Sequence, residues 1–210
     1  MKYHIANQAN IASAVKALKE KKVIIHSTDT IPGLACDATS DKAIKTIIEL
    51  KNRRGPFSII VECIKDIKKY STINDKQLEI ISNLLPGPFT ILSKNNKNNN
   101  LSKLATEDSE LIGFRIPNHA FTNNLIKEFK NPIVTTSVNT TGQESIINLK
   151  EIPENFKHIL VYDDEKRKLS KGSTILNFSN KKVTIVRYGD GKYQEWNLIL
   201  EYYNFVNPTN

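Results

Sequence analysis

The sequence predicts a single α/β domain, because apolar strands and amphipathic helices intermix along its whole length. Runs rich in Val, Ile and Thr alternate with segments whose apolar residues recur at helical spacing. A chain of 210 residues is long enough to bury one substantial core. We therefore expect one domain over residues 1–210, with a sheet covered by helices.

Helical periodicity is present in four segments, and a further segment lies at the C-terminus. Ser40 or Asp41 can cap the second helix, and Asn74 with Gln77 forms a capping-box pattern before a helix that Pro86 ends. The C-terminal segment has an aromatic face that either packs on the domain or contacts a partner. Helices are expected over residues 9–21, 41–50, 74–85 and 120–129, with the C-terminal helical extension within 192–210.

Short β-branched runs between these helices predict the strands of the sheet. The tract at residues 94–103 is rich in Asn and Lys, so it is expected to form a surface loop. Strands are expected over residues 23–26, 58–61, 89–92, 111–117, 133–137, 158–161, 173–178 and 183–187.

The composition indicates a basic protein outside membranes. Its net charge is +8, from 30 Lys and Arg of which only 5 are Arg, so either an AT-rich genome or a basic face for nucleic acid explains the charge. Apolar runs are too short for a membrane span and the N-terminus lacks a signal-peptide pattern, which predicts a cytoplasmic location. Cys36 and Cys63 form no metal or CxxC motif and are expected to be buried, reduced thiols.

The most informative segment is VIIHSTDTIPGLACDA, residues 23–38. The hydroxyls of Ser27, Thr28 and Thr30 directly follow an apolar strand, at the kind of sheet edge where α/β proteins gather ligands. A Pro-Gly turn follows them. This pattern predicts part of a binding site.

The sequence contains no P-loop, GxGxxG, GxSxG or HExxH motif. Five later segments nevertheless carry cations, hydroxyls or a tight turn that could belong to a binding site. They are LKNRRGPFSIIV (50–61) with Lys51 and Arg53, LLPGPFTILS (84–93), IGFRIPNH (112–119) with Arg115, VTTSVNTTGQ (134–143) with Ser137 and Asn139, and GSTILNFSNKKVTIVRYGDG (172–191) with Ser173 and Arg187.

Each of these segments also has a purely structural explanation. Lys51 and Arg53 could be a charged helix end, favoured by the helix dipole. Arg115 lies in an apolar strand and needs either a bound anion or an internal carboxylate. The residues alone leave these alternatives open.

Taken in order, the six segments resemble the motifs of the YrdC/TsaC family, the L-threonylcarbamoyladenylate synthases. The family's motifs read roughly YPTDTxYGLxxDA, KxR, PGPxT, RxPxH, SxNxSG and a final ST block ending in RxG. Ser27 replaces the usual Pro and Pro32 the usual Tyr, and the loop after Arg53 is shorter than usual. The chain ends soon after RxG, so it resembles the short form of the family.

The resemblance implies a YrdC-like twisted mixed sheet with flanking helices and a large concave basic pocket. It implies synthesis of threonylcarbamoyl-AMP and pyrophosphate from L-threonine, bicarbonate and ATP, with Mg2+ on the ATP, for threonylcarbamoyladenosine modification of tRNA. Separate proteins would transfer the product, and tRNA or double-stranded RNA is a further expected partner. The residues that the motifs assign are Lys51 and Arg53 for catalysis, and Ser137, Asn139, Arg187, Thr28, Arg115 and Ser173 for substrate and nucleotide binding.

Two rival functions fit parts of the same pattern. One is a carbamoyl-adenylate-forming relative, as in hydrogenase maturation proteins, where this domain is embedded in a longer chain. The other is a non-catalytic double-stranded RNA or ribosome-assembly protein, which the many Lys residues allow.

Overall fold

A computed structural model describes residues 3–165 and 169–192. The predicted helical extension lies almost entirely outside the described residues. Strands in the described part are β1 Tyr3–Ile5, β2 Ile24–His26, β3 Gly33–Asp37, β4 Ser58–Ile60, β5 Phe89–Lys94, β6 Leu111–Arg115, β7 Ile133–Ser137, β8 Leu160–Asp163, β9 Thr174–Asn177 and β10 Thr184–Arg187. The α-helices are α1 Ile11–Lys19, α2 Asp41–Lys51, α3 Ile67–Tyr70, α4 Asp75–Ser82, α5 Lys103–Thr106 and α6 Ala120–Phe129, and 3-10 turns span Gln8–Asn10, Ile64–Asp66 and Glu154–Phe156.

These ten strands form one mixed sheet in the order β1-β8-β2-β3-β7-β4-β6-β5-β9-β10. β8 pairs in parallel with β1 and β2, and β4 with β6, whereas β3 is antiparallel to both β2 and β7. The predicted α/β class with a mixed sheet is confirmed.

Helices cover both faces of the sheet. Neighbouring residues of a strand point to opposite faces, so each face presents apolar side chains on which helices pack. Ile24 and Ile133 pack with α1 and α6 in one core cluster, while the next residues, Ile25 and Val134, pack with α2 and α4 in the other. Apolar packing on both faces of the sheet therefore fixes the strands whose ends surround the candidate site. No helix within residues 3–165 and 169–192 has the length and apolarity needed to cross a bilayer.

Helix boundaries follow their capping residues. The Ser40 side chain accepts the Ala43 backbone N–H, and Asn74 and Gln77 form the reciprocal capping box that the sequence predicts. The helix expected over residues 74–85 ends at Ser82, because the residue before a proline is restricted to extended backbone and Pro86 follows closely.

Two strands were not predicted. β3 is made of Gly33, Leu34, Ala35, Cys36 and Asp37, a composition with low strand propensity, yet it pairs on both sides with β2 and β7. β1 is only 3 residues long and pairs with β8 at the sheet edge. Pairing with a strand far along the chain, β7 for β3 and β8 for β1, supports both.

The prediction for the two cysteines is half correct. Cys36 is fully buried in β3, and burial raises the pKa of its thiol. The prediction of burial is wrong for Cys63, which is exposed at the start of the turn Ile64–Asp66. The apolar run before Cys63 is buried, but the chain turns to the surface where that strand ends.

Candidate functional site

A cavity of about 290 Å³ opens where strands β3 to β7, β9 and β10 meet. Its described lining contains four cations, Arg53, Arg115, Lys171 and Arg187, and no Asp or Glu. Hydroxyl groups form much of the remaining surface. They come from Thr30, Ser58, Thr90, Thr135, Thr136, Ser137, Ser145 and Ser173. This combination of charges and donors favours an anionic ligand.

Arg53 enters the pocket from the loop after α2. The helix ends at Asn52 in the left-handed region, with a φ of 50°, and this turns the chain toward the sheet. The Arg53 guanidinium lies 4.9 Å from the centre of the Phe57 ring and donates to the Arg54 carbonyl at 2.9 Å. Burial lowers its pKa. Arg53 has no carboxylate partner among the described residues, so a bound anion can neutralise it.

Arg187 also lines the cavity, at the end of β10. Its Nε and Nη2 donate to the Ser173 carbonyl at 3.2 and 2.8 Å, and the Ser173 hydroxyl lies 2.7 Å from Thr90 Oγ1. Burial lowers the pKa of Arg187 as well. Within the described chain no carboxylate pairs with Arg187, so a bound anion can balance its charge while the bonds to Ser173 fix its orientation.

Arg115 differs from the other two because it has an internal acid. Its Nη2 lies 2.7 Å from Asp29 Oδ1 in an ion pair whose side chains are 8% and 9% exposed. Burial lowers the Arg115 pKa, and Asp29 opposes that effect. Of the two alternatives left by the sequence, the internal carboxylate is present. Arg115 still lines the cavity, and its buried Nε has no hydrogen-bond partner in the described structure.

Lys51 lies behind the pocket rather than in its lining. It is 2% exposed, and its ammonium donates to the Ser137 carbonyl at 2.8 Å and to the Asn139 side-chain oxygen. The Ser137 hydroxyl donates to the same Asn139 oxygen at 2.6 Å. Burial, and secondarily Arg53, lower the Lys51 pKa to about 8. Lys51 and Asn139 therefore hold Ser137, which does line the cavity.

Thr28 also shapes the pocket from behind its surface. Its hydroxyl donates to the Ile31 carbonyl at 2.8 Å and accepts the Thr30 backbone N–H at 3.1 Å. These bonds fix the turn whose residues Thr30 to Gly33 form one wall. Of the eight predicted site residues, the cavity lining includes Arg53, Arg115, Ser137, Ser173 and Arg187, whereas Lys51, Thr28 and Asn139 support it.

Sequence reasoning missed several lining residues. Thr90 follows Pro-Gly-Pro-Phe in a motif already noticed, and Thr135 and Thr136 precede Ser137 in a strand already predicted, so position in a motif could have indicated them. Lys171 and Ser145 carry no such signal. Only the folding of the chain brings them to the cavity.

Comparison with known proteins gives this fold and site a family context. A family model for Sua5, YciO and YrdC proteins, described as "Telomere recombination", matches residues 16–189. A protein of Methanocaldococcus jannaschii is 35% identical over 179 residues, covering 83% of this chain and 83% of its own. The threonylcarbamoyl-AMP synthase of Mus musculus is 29% identical over 189 residues, which are 85% of this chain but 66% of the mouse protein.

The fold has a counterpart among solved structures. The crystal structure of P. abyssi Sua5 complexed with L-threonine superposes with a TM-score of 0.79 at 22% identity. The match covers 90% of this chain and 56% of that one, so at this identity the likeness concerns the fold of the shared part. With its family model spanning most of the sequence, the chain belongs to the Sua5/YciO/YrdC family.

Proposed function

We propose that this protein is an L-threonylcarbamoyladenylate synthase, a nucleotidyltransferase that forms threonylcarbamoyl-AMP and pyrophosphate from L-threonine, bicarbonate and ATP. Relatives named for this activity occur in bacteria and mammals, and a Sua5 structure of the same fold contains L-threonine. Membership of the family makes this activity the first to test.

One observation carries the proposal within this chain. The described lining of the cavity has three arginines and no carboxylate, and two of those arginines, Arg53 and Arg187, have no acidic partner in the described part of the protein. Arg53 is partly buried and Arg187 is exposed, so their unbalanced positive charge is available to attract an anion into the cavity. A triphosphate beside an amino-acid carboxylate supplies the balancing negative charge.

The reaction needs no protein nucleophile. The threonine amine takes up carbon dioxide derived from bicarbonate, giving a carbamate and releasing a proton. A carbamate oxygen then bonds to the α-phosphorus of ATP as the bond from that phosphorus to pyrophosphate breaks. The chain's part is to align the two reactants and to oppose the charge that develops on the phosphate oxygens.

The geometry suggests a division of labour among the predicted residues. Arg53 and Arg187 both line the cavity and are assigned to phosphate or to the threonine carboxylate. Ser137 and Ser173 supply hydroxyls for the nucleotide. Arg115, already paired with Asp29, contributes a guanidinium of fixed orientation.

Three other predicted residues support these contacts. Lys51 and Asn139 hold the end of β7, and Thr28 holds the turn beside the threonine site. The prediction that the Lys51 ammonium itself binds substrate stays a prediction. In the described geometry, that ammonium is already occupied by Ser137 and Asn139.

Mg2+ enters the proposal only as part of the MgATP substrate. The described lining offers no carboxylate, and the described residues contain no cluster of three or more His, Cys, Asp or Glu that could hold a metal. Magnesium is therefore treated as part of the substrate, and every step is assigned to residues of the chain.

The wider context follows from the same proposal. The product would serve threonylcarbamoyladenosine modification of tRNA in the cytoplasm, with separate proteins carrying out the transfer. Residues 1–210 would act as one YrdC-like domain. The proposal also includes direct contact with tRNA or double-stranded RNA, which the net charge of +8 supports.

Pyrophosphate release is the decisive measurement. The protein is incubated with MgATP and bicarbonate, first with L-threonine and then with L-serine, L-alanine or no amino acid. Threonine-dependent release supports the synthase. Release that needs added ammonium in place of an amino acid, because ammonia and bicarbonate together supply carbamate, would favour the carbamoyl-adenylate-forming relative. Salt-sensitive RNA binding without turnover would favour the RNA-binding alternative.

A further inference from the structure

Among the four cations of the described cavity lining, Lys171 is the one that none of the sequence motifs assigns. We propose that Lys171 is a further anion-binding residue that contacts the nucleotide's phosphates, and that Asp190 is the positioning residue that holds it there. The identity of the anion rests on the proposed function. The geometry of the loop is independent of it.

The backbone around Gly172 allows two neighbouring side chains to reach the same cavity. Lys171 and Ser173 both line it, with Gly172 between them. Gly172 has a φ of +81°, a region that favours glycine. A Cβ at this position would lie 3.3 Å from Arg187 Nη2. Gly172 therefore lies directly against the Arg187 guanidinium, and Lys171 is its neighbour in the chain.

Asp190 fastens this loop to the chain beyond β10. One carboxylate oxygen accepts the Lys171 backbone N–H at 2.8 Å, and the other accepts the Ser170 hydroxyl. The Asp190 backbone N–H donates to the Gly172 carbonyl at 2.8 Å. Three contacts from one residue hold the loop on both sides of Gly172. The carboxylate is used on the backbone and on Ser170, and it forms no ion pair with the Lys171 ammonium within 4.0 Å.

The distribution of charge indicates a polyanion. Lys171 and Arg187 lack acidic partners in the described residues, and Arg115 lies close enough for Arg187 to lower its pKa. Lys171 and Arg187 leave two charges unbalanced in the described residues, and the charge of the neighbouring Arg115 is balanced by Asp29. A pyrophosphate or triphosphate group carries several negative charges and can contact all three cations. Lys171 is exposed, so it lies at the rim of the cavity. This position suits the outer phosphates and the departing pyrophosphate.

The test compares two variants that lose the same charge. Lys171→Gln removes the proposed contact, and Lys182→Gln removes an exposed lysine from the turn between β9 and β10 that does not line the cavity. Calorimetric titration with inorganic pyrophosphate should show roughly fivefold weaker binding for Lys171→Gln and no change for Lys182→Gln. Titration with L-threonine should be unchanged in both. Equal pyrophosphate affinities in the two variants, or no pyrophosphate binding by the unmodified protein, would overturn the proposal.

A second pair of variants tests the positioning role. Asp190→Ala removes both acceptors and should weaken pyrophosphate binding about as much as Lys171→Gln, with circular dichroism unchanged. Asp190→Asn keeps an acceptor for the Lys171 N–H and loses the negative charge, so it should bind pyrophosphate as tightly as the unmodified protein or tighter. Both variants lose the same charge, so pyrophosphate binding by Asp190→Ala as tight as that by Asp190→Asn would refute the positioning role.

The turnover assay separates this inference from the proposed function. If pyrophosphate binding depends on Lys171 but threonine does not trigger pyrophosphate release, the synthase assignment fails and the anion site stands. If threonine triggers release with equal KM for ATP in Lys171→Gln and Lys182→Gln, the synthase assignment stands and the role of Lys171 fails.

Discussion

Asp29 and Arg115 form a buried ion pair, with 2.7 Å between Asp29 Oδ1 and Arg115 Nη2. The second Asp29 oxygen accepts the Asn118 backbone N–H at 2.9 Å. Through these two bonds, the turn after β2 is fixed to the end of β6. The opening motif therefore contributes a structural support to the pocket as well as the wall formed by Thr30 to Gly33.

Removing Asp29 should destabilise the fold. Asp29→Ala leaves the Arg115 guanidinium buried without a counter-charge, and the free energy of unfolding should fall by about 3 kcal/mol. Asp29→Asn retains a polar partner and should lose less. Urea denaturation measures both. Glu110→Ala is the control, because its pair with Lys97 is solvent-exposed. A loss no larger than that of the control would show that the ion pair does not support the fold.

Lys51 should make stability depend on pH in the alkaline range. Its pKa is about 8 in the folded protein, mainly because of burial, and about 10.4 in an unfolded chain. Between these values the unfolded state holds a proton that the folded state lacks, so stability rises with pH. Below about pH 8, the free energy of unfolding is reduced by the full cost of burying the charged Lys51 ammonium, and above about pH 10.4 this cost is gone.

The matched variant for this prediction is Lys51→Met, which cannot titrate. From pH 8 to 10, the stability of the unmodified protein relative to Lys51→Met should rise by roughly 2 kcal/mol. Denaturation at several pH values in one buffer series measures the difference. A difference that stays constant across this range would contradict the lowered pKa.

The sequence alone predicts the bounds of those helices and strands that their own residues determine. Helix α6 and strand β7 have the predicted bounds, because periodic apolar residues and flanking turns define both. Strand β3 could not be predicted in this way. Gly33, Ala35 and Asp37 have little strand propensity, and the strand exists because β2 and β7 supply partners on both sides.

The same distinction applies to the candidate site. Motif order identified the cations Arg53 and Arg187, since each follows a recognisable element. Burial of Lys51 depends on contacts with Ser137 and Asn139, which are more than 80 residues away in the chain. Lys171 reaches the cavity through the Gly172 turn and the Asp190 contacts. Spacing along the sequence does not encode such long-range contacts.

The two cysteines should react with thiol reagents at very different rates. Cys63 is exposed, whereas Cys36 is fully buried in β3 and its thiol pKa is raised by burial. Folded protein should therefore react rapidly with one equivalent of Ellman's reagent, and the second thiol should react only on unfolding. Cys63→Ser should abolish the fast phase. Rapid reaction of both thiols in the folded protein would contradict the position of β3 in the centre of the sheet.

Arg53 and Arg54 provide a charge-matched test of the pocket. Arg53 lines the cavity against the Phe57 ring, whereas the Arg54 side chain is 77% exposed and lies 3.9 Å from Glu107. Arg53→Ala should weaken pyrophosphate binding and raise the KM for ATP by about tenfold, because a charge-assisted contact is lost. The free energy of unfolding of Arg53→Ala should not fall, because Arg53 is partly buried and has no carboxylate partner among the described residues. Arg54→Ala should leave binding, KM and stability unchanged. Both variants change the net charge equally, so equal losses of affinity would mean that overall charge, not position in the cavity, attracts the anion.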